Sequence, residues 1–300
     1  MHGCKKKMQQ IRPFMRAMLI VCALLLLLSS CAQGSRLPTY TDDLLRVHYV
    51  DVGQGDCSLL ELPGGETLLI DGGPEAAGDS VVAYMKAVGI DDLDYVVATH
   101  AHEDHIGGLP DVLARYHPRT VYMPSYCVAN TKIYNAFVSM LKRQGLSLND
   151  IVAGVTLLDE NGVVITVVSP TKDFGDQNEN SAMLKVVYGE HVFLFTGDAG
   201  KKAEKDITAD ISADVLQVGH HGSKGSSSKE FLQRVQPRLA IIPVGKNNSY
   251  SHPTREVLGL LSSMNIRIFR TDEDGTVVVD SDGKTLTVYT SAGGYSPLAA

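Results

Sequence analysis

The chain has 300 residues, 44% hydrophobic and 20% charged, with 27 Lys and Arg against 34 Asp and Glu. This is the length and composition of a globular protein with one large core or two modest ones, and it excludes a disordered chain. The net charge of −7 excludes binding of nucleic acid by bulk positive charge.

In chain order, Lys5, Lys6, Lys7, Arg12 and Arg16 precede an apolar run from Met18 to Leu28, and the first acidic residue is Asp42. That is the layout of a secretory signal. The run supplies about half of the roughly 20 apolar residues needed to span a bilayer. Leu28-Ser29-Ser30-Cys31 resembles the lipobox of bacterial lipoproteins. The resemblance implies a lipoprotein signal peptide over 1–30, lipidation at Cys31, a lipid-anchored linker over 31–43, and an extracytoplasmic place on a bacterial cell membrane. A plain signal with a coincidental cysteine is the other reading. Without 1–30, 22 basic residues face 34 acidic ones, a net of −12. Of the remaining cysteines, Cys57 and Cys127 form either one disulfide or two buried thiols.

From Leu44 onward the pattern is β-rich: strands at 46–52, 57–62 and 67–70, separated by Gly-Gln-Gly and Pro-Gly-Gly turns. A helix over 79–88, stopped by Gly89, leads to a buried strand at 95–99. Helices at 109–116 and 132–144 flank a strand at 120–123. The second half repeats the scheme, with strands at 163–168, 182–188, 191–196, 215–218, 239–243, 267–270 and 276–279, and helices near 230–235 and 255–262. This order predicts an α/β fold of two face-to-face sheets with helices outside, in one domain over 44–290, followed by a flexible tail at 291–300.

The segment Thr99-His100-Ala101-His102-Glu103-Asp104-His105-Ile106-Gly107-Gly108 puts three imidazoles and two carboxylates into six positions at a strand end. Such donors suit zinc, manganese or iron without a thiolate. His-x-His-x-Asp-His after a strand resembles the signature of the metallo-β-lactamase fold superfamily, which implies an αββα sandwich of two mixed sheets. Thr196-Gly197-Asp198 and His220-His221-Gly222-Ser223 match that superfamily's later ligand segments. More narrowly, these runs together with Asp51-Val52-Gly53-Gln54-Gly55-Asp56 and Asn180-Ser181 resemble the hydrolase domain of the ComEC family of competence proteins, over about 46–279 and without its multi-helix channel.

The resemblance implies two divalent ions, zinc or manganese. His100 and His102 would hold one, Asp104, His105 and a late histidine the other, and Asp198 would bridge them. His220 is preferred over His221 because it continues the alternation of Leu216 and Val218. His221 is then a supporting or substrate-facing residue. Many superfamily members carry a further histidine; His191, on the same strand as Asp198 and about 23 Å from it if extended, is too far to serve. His117 reads as a surface residue and His48 as structural. The first metal is thus a histidine short, with Asn180 or Ser181 near the vacancy.

Asp71 sits where a carboxylate would orient a ligand imidazole, although Asp-Gly-Gly is also a good turn. Asp56 is expected to support the metal loop. Asn247 and His252, in Asn247-Asn248-Ser249-Tyr250-Ser251-His252-Pro253, are candidates for substrate contact and leaving-group protonation; the segment also suits a loop leading into a helix. Ser251 stands where the ComEC-like form has glycine.

Paired metals make hydroxide available near neutrality and neutralise charge on the electrophile. The expected reaction is hydrolysis of a phosphodiester, in nucleic acid or in an envelope polymer or lipid, with Asp104 steering the hydroxide and His252 assisting the leaving group. Ester, lactone, lactam or phosphorylcholine-ester hydrolysis is the alternative enzyme class. A non-catalytic DNA- or ligand-binding module is the alternative outside enzymes.

Overall fold

The structure is a computed structural model and describes residues 36–299. The expected signal peptide and Cys31 lie outside the described residues.

The strands alternate in which face they bury. In β1 (Leu45–Tyr49), β2 (Ser58–Glu61), β3 (Thr67–Ile70), β4 (Tyr95–Val97) and β5 (Thr120–Tyr122), residues such as Leu60, Leu68, Ile70 and Val97 enter one core. Their neighbours Leu59, Leu69, Val96 and Val121 enter another. Both faces being covered explains why these strands read as continuous apolar runs. Outside this sheet lie the helices α1 (Gly78–Ala87), α2 (Glu103–Ile106), α3 (Leu109–Arg115) and α4 (Lys132–Arg143). Burial of Tyr134, Phe137 and Leu141 on α4 follows the helical period.

The remaining strands are β6 (Leu148–Asn149), β7 (Thr156–Glu160), β8 (Val163–Ser169), β9 (Met183–Tyr188), β10 (His191–Phe195), β11 (Val215–Gln217), β12 (Leu239–Ile242), β13 (Arg267–Arg270), β14 (Val277–Ser281), β15 (Leu286–Thr290) and β16 (Leu298–Ala299). One sheet has the order β16-β15-β14-β1-β2-β3-β4-β5-β6, the other β13-β12-β11-β10-β9-β8-β7. The second is covered outside by α5 (Lys201–Asp206), α6 (Lys229–Val235) and α7 (Arg255–Ser263), through Ala203, Phe231, Leu232, Val257 and Leu261. Phe193 and Phe195 of β10 face the core between the sheets and Leu194 faces the helices. The expected αββα sandwich of two mixed sheets is the observed fold.

Several elements differ from expectation. Within the segment expected as a flexible tail, Leu298 and Ala299 pair with Val288 and Thr287, adding an edge strand, and Leu298 packs against the core. The strands β6, β7 and β15 and the short helices α2 and α5 are absent from the sequence expectation. β7 buries only Leu158 among exposed neighbours, so its sequence carries little apolar signal.

Strands β3 to β6 and β10 to β13 run parallel within their sheets. Their carboxyl ends present loops 71–74, 98–108, 196–200, 218–228 and 243–254 along one edge, the usual position for a site in such sheets. The Thr99 carbonyl accepts from Ala182 N at 2.9 Å, joining the two sheets there.

Candidate metal centre

Three buried histidines are each held by one ring nitrogen so that the other faces a common point. For His105, Nδ1 lies 2.8 Å from Asp71 Oδ2. Asp71 also accepts from Thr99 N at 2.8 Å and Thr99 Oγ1 at 2.7 Å. With its proton given to Asp71, Thr99 Oγ1 is left to accept from His100 Nδ1, 3.1 Å away, while Ser181 Oγ lies 3.2 Å from the same nitrogen. His221 Nδ1 lies 3.1 Å from both the Pro243 carbonyl and Asp56 Oδ1. Asp56 is itself fixed by Gln217, whose Nε2 donates to Oδ2 at 2.6 Å.

The free ends converge on Asp198. His105 Nε2 lies 3.2 Å and His221 Nε2 3.6 Å from its Oδ1, and His100 Nε2 lies 3.8 Å from its Oδ2. Asp104 Oδ2 is 3.3 Å from His221 Nε2. His100, His105 and His221 Nε2, together with Asp198 Oδ1, are buried and lack a hydrogen-bond partner. A knot of orphaned buried donors and acceptors is costly unless something occupies it. The donor atoms form two compact groups, His100 with His102 and Asp198, and Asp104 with His105 and His221, each within 4.8 Å. Imidazole and carboxylate in this number fit a pair of divalent cations.

The charge balance agrees. Burial disfavours charge on His105 and His221, yet Asp198 outweighs it, assisted by Asp71 for His105 and Asp56 for His221, so both titrate well above the ordinary range. Burial would likewise raise Asp198, but His105 and His221 hold it well below its usual value. His100 is pushed well below its ordinary value by burial and then by His105. In the metal-free protein, protonated imidazoles take the place of cations.

Geometry puts His221, rather than the expected His220, beside Asp104 and His105. The alternation argument fails because β11 ends at Gln217. At His220, His221 and Gly222 the backbone is left-handed, with φ of 50°, 53° and 81°, which turns His221 inward. His220 is half-buried, 3.5 Å from Asp198 Oδ2, and lies between Asn178 and His252. Left-handed backbone at two non-glycine residues costs about 1–2 kcal/mol each. Such strain is held where surrounding structure fixes it.

Asp71 stands against the imidazole of His105 and Asp56 against that of His221. Asn180 does not reach the cleft. Its Oδ1 accepts from Phe174 N at 2.8 Å and its Nδ2 donates to Asp173, because it closes its own loop. Ser181 lies behind His100 and accepts from Asp198 N at 3.3 Å. From this loop Asn178 reaches the cleft, with a buried Oδ1 lacking a partner. Asn247 faces a neighbouring depression with Lys246 and Arg270, and Asn248 organises the loop instead. His252 borders the cleft as expected.

His191 bonds Ser281 Oγ at 2.7 Å, His48 bonds Glu61 and Tyr84, and His117 is exposed, so none joins the site. Cys57 and Cys127 are free and buried. Burial pushes the Cys127 thiol up to about 12, which makes it inert.

Gln217, Asn178 and Asn248 escaped the sequence reading. Gln217 had a signal: a lone amide in an apolar strand, now seen buried at the ligand layer. Gly55 permits the close approach of loop 51–56; a Cβ there would meet the Asp104 carbonyl at 2.3 Å. Asp56 N donates to that same carbonyl at 3.1 Å.

Residues 50–246 match the family described as the metallo-beta-lactamase superfamily. The chain belongs to that superfamily. Among curated relatives it is 34% identical over 252 residues to ComE operon protein 3 of Bacillus subtilis (strain 168), covering 77% of this chain and 32% of that protein. It is 30% identical over 233 residues to Competence protein ComA of Neisseria gonorrhoeae, covering 76% and 31%. The chain thus spans about a third of the length of these relatives. Among solved structures, Igni18, a metallo hydrolase from the archaeon Ignicoccus hospitalis KIN4/I, superposes with a TM-score of 0.52 at 16% identity, covering 78% of this chain and 98% of that one. Tm1679, a metal-dependent hydrolase of the beta-lactamase superfamily, gives 0.51 at 16%, covering 75% and 95%. The ComEC-like resemblance and the expectation of a metal-dependent hydrolase of this superfamily stand, with groups that could hold metal assembled in the site.

Proposed function

We propose that the chain is a two-metal phosphodiesterase, acting outside the cytoplasm from a lipid anchor at Cys31. The observation that carries the chemistry is the convergence of unpartnered His100, His105 and His221 nitrogens on Asp198. The similarity to competence proteins favours nucleic acid as the source of the phosphodiester.

Divalent ions held by His100, His102 and Asp198 and by Asp104, His105 and His221 would lower the pKa of water and neutralise charge on a phosphoryl oxygen. The chain's own residues supply the frame. Asp71, Thr99, Ser181 and Asp56 fix ring orientations, and Asp104 stands at the cleft floor to steer the nucleophile. The cleft has a volume of about 580 Å³ and holds His220, Asn178 and His252 beside Asp198. Burial, then His220 and His221, lowers His252 below its ordinary value. At neutral pH its imidazole is therefore uncharged, and it orients the substrate or accepts a proton more readily than it donates one.

The test is turnover of bis-p-nitrophenyl phosphate, single-stranded DNA and a β-lactam by the purified chain with Mn²⁺ or Zn²⁺, beside Asp198→Ala. Metal-dependent cleavage of the diesters supports the reading; cleavage of the β-lactam alone sinks it.

A further inference from the structure

The cleft above the metal-binding residues has a telling composition. Its lining, among the described residues, contains no Lys or Arg, and Tyr250 is its one aromatic side chain apart from histidines. Tyr250 is 63% exposed. The other exposed large apolar side chains among the described residues are Tyr126 and Val128. Their segment is tied to the loop carrying Asn178: Asn180 Nδ2 donates to the Tyr126 carbonyl and Gln177 Nε2 to that of Val128, both at 3.4 Å. Of these three exposed side chains, Tyr250 is the one that lines the cleft.

Tyr250 is held as well as exposed. Asn248 Oδ1 accepts from Tyr250 N at 3.1 Å and from His252 N at 3.0 Å, and its Nδ2 donates to the Gly245 and His252 carbonyls at 2.9 and 2.6 Å. The ring stacks on His252, with centroids 5.8 Å apart and planes at 25°. A planar face fixed in this way loses little conformational freedom on meeting a ligand.

We propose that Tyr250 is a stacking platform that positions a nucleobase next to the scissile phosphate of a single-stranded substrate. This rests on the phosphodiesterase reading. The cleft walls hold no Lys or Arg, Lys246 and Arg270 line the neighbouring depression, and the net charge after residue 30 is −12, so uncharged contact is what the walls themselves offer a strand. Base stacking is the uncharged contact that a nucleic-acid strand offers, and a single strand offers it without first unpairing. A phosphodiester of glycerol or a sugar alcohol has no such plane.

The experiment compares the metal-loaded chain with its Tyr250→Ala and Tyr250→Phe variants on thymidylyl-thymidine and on the same diester with both bases replaced by hydrogen. For Tyr250→Ala, kcat/KM on the base-bearing substrate falls about 10-fold, mostly through KM, while Tyr250→Phe stays within about twofold. The abasic diester is cleaved equally by all three. Equal loss on both substrates, or no loss on either, overturns the proposal. So does an equal Tyr250→Ala loss on glycerophosphocholine, where the ring would serve a cation. Quenching of 2-aminopurine in a single-stranded oligonucleotide reads stacking without turnover. If the wild type cleaves no diester yet quenches in a Tyr250-dependent way, the phosphodiesterase reading falls and the platform stands; absence of that quenching overturns the platform.

Discussion

Asp71 Oδ2 lies 2.8 Å from His105 Nδ1, and the same carboxylate holds both the amide and the hydroxyl of Thr99. One buried side chain thus sets the ring of His105 directly and that of His100 through Thr99. Asp71→Asn keeps the shape but puts an amide donor where one oxygen accepts. We expect metal affinity to fall about 10- to 100-fold, measured by competition with a chelator.

The adjacent histidines separate cleanly. His221→Ala removes a donor shared by Asp104 and Asp198, and about 100-fold or more of the activity is lost with one metal equivalent. His220→Ala leaves metal content at the wild-type value, since its ring belongs to none of the converging groups of donor atoms. Metal analysis of the two variants checks this, and the reverse pattern would restore the alternation argument.

The contrast between His220 and His221 marks the limit of what the sequence makes legible. Strand periodicity and the His-x-His-x-Asp-His run located the sheets and most of the centre, because burial on both strand faces and strand-end loops leave direct traces. What lay beyond the last paired residue did not. Past Gln217 the left-handed backbone at His220 and His221 cancels strand parity. Similarly, Asn178 rather than Asn180, and Asn248 rather than Asn247, reach their roles through loop hydrogen bonds that spacing does not encode. Asp71 was legible because it is a carboxylate at a strand end beside an imidazole-rich loop, although Asp-Gly-Gly reads equally as a turn.

Ser251 adopts φ 58°, where the ComEC-like pattern carries glycine. The left-handed conformation costs a side-chain-bearing residue about 1–2 kcal/mol, and the greater unfolded-state freedom of glycine offsets about 0.5–1 kcal/mol of that. Ser251→Gly therefore stabilises the protein by about 0.5–1 kcal/mol in urea unfolding. A loss of stability would show that the serine side chain is needed by the loop.

In the metal-free protein, His105 and His221 titrate above their ordinary range, so their contribution is complete below about pH 6.5 and is lost as pH rises through the raised values. His100, lowered, acts in the opposite sense, but only below about pH 6.5. Stability of the apoprotein should thus decline from pH 7 to 9, by up to about 1.4 kcal/mol per pH unit for each proton released. Added Mn²⁺ or Zn²⁺ should raise the melting temperature more at pH 8.5 than at 6.5, because metal displaces those protons. Thermal melts across pH, with and without metal, read both.

The measurement nearest the centre of the account is the metal content and position in crystals grown with Mn²⁺, located by anomalous scattering. Two ions are predicted, one among His100, His102 and Asp198 and one among Asp104, His105 and His221, with Asp198 next to both. An absence of bound metal, or metal held by His220 with His221 left aside, would contradict it.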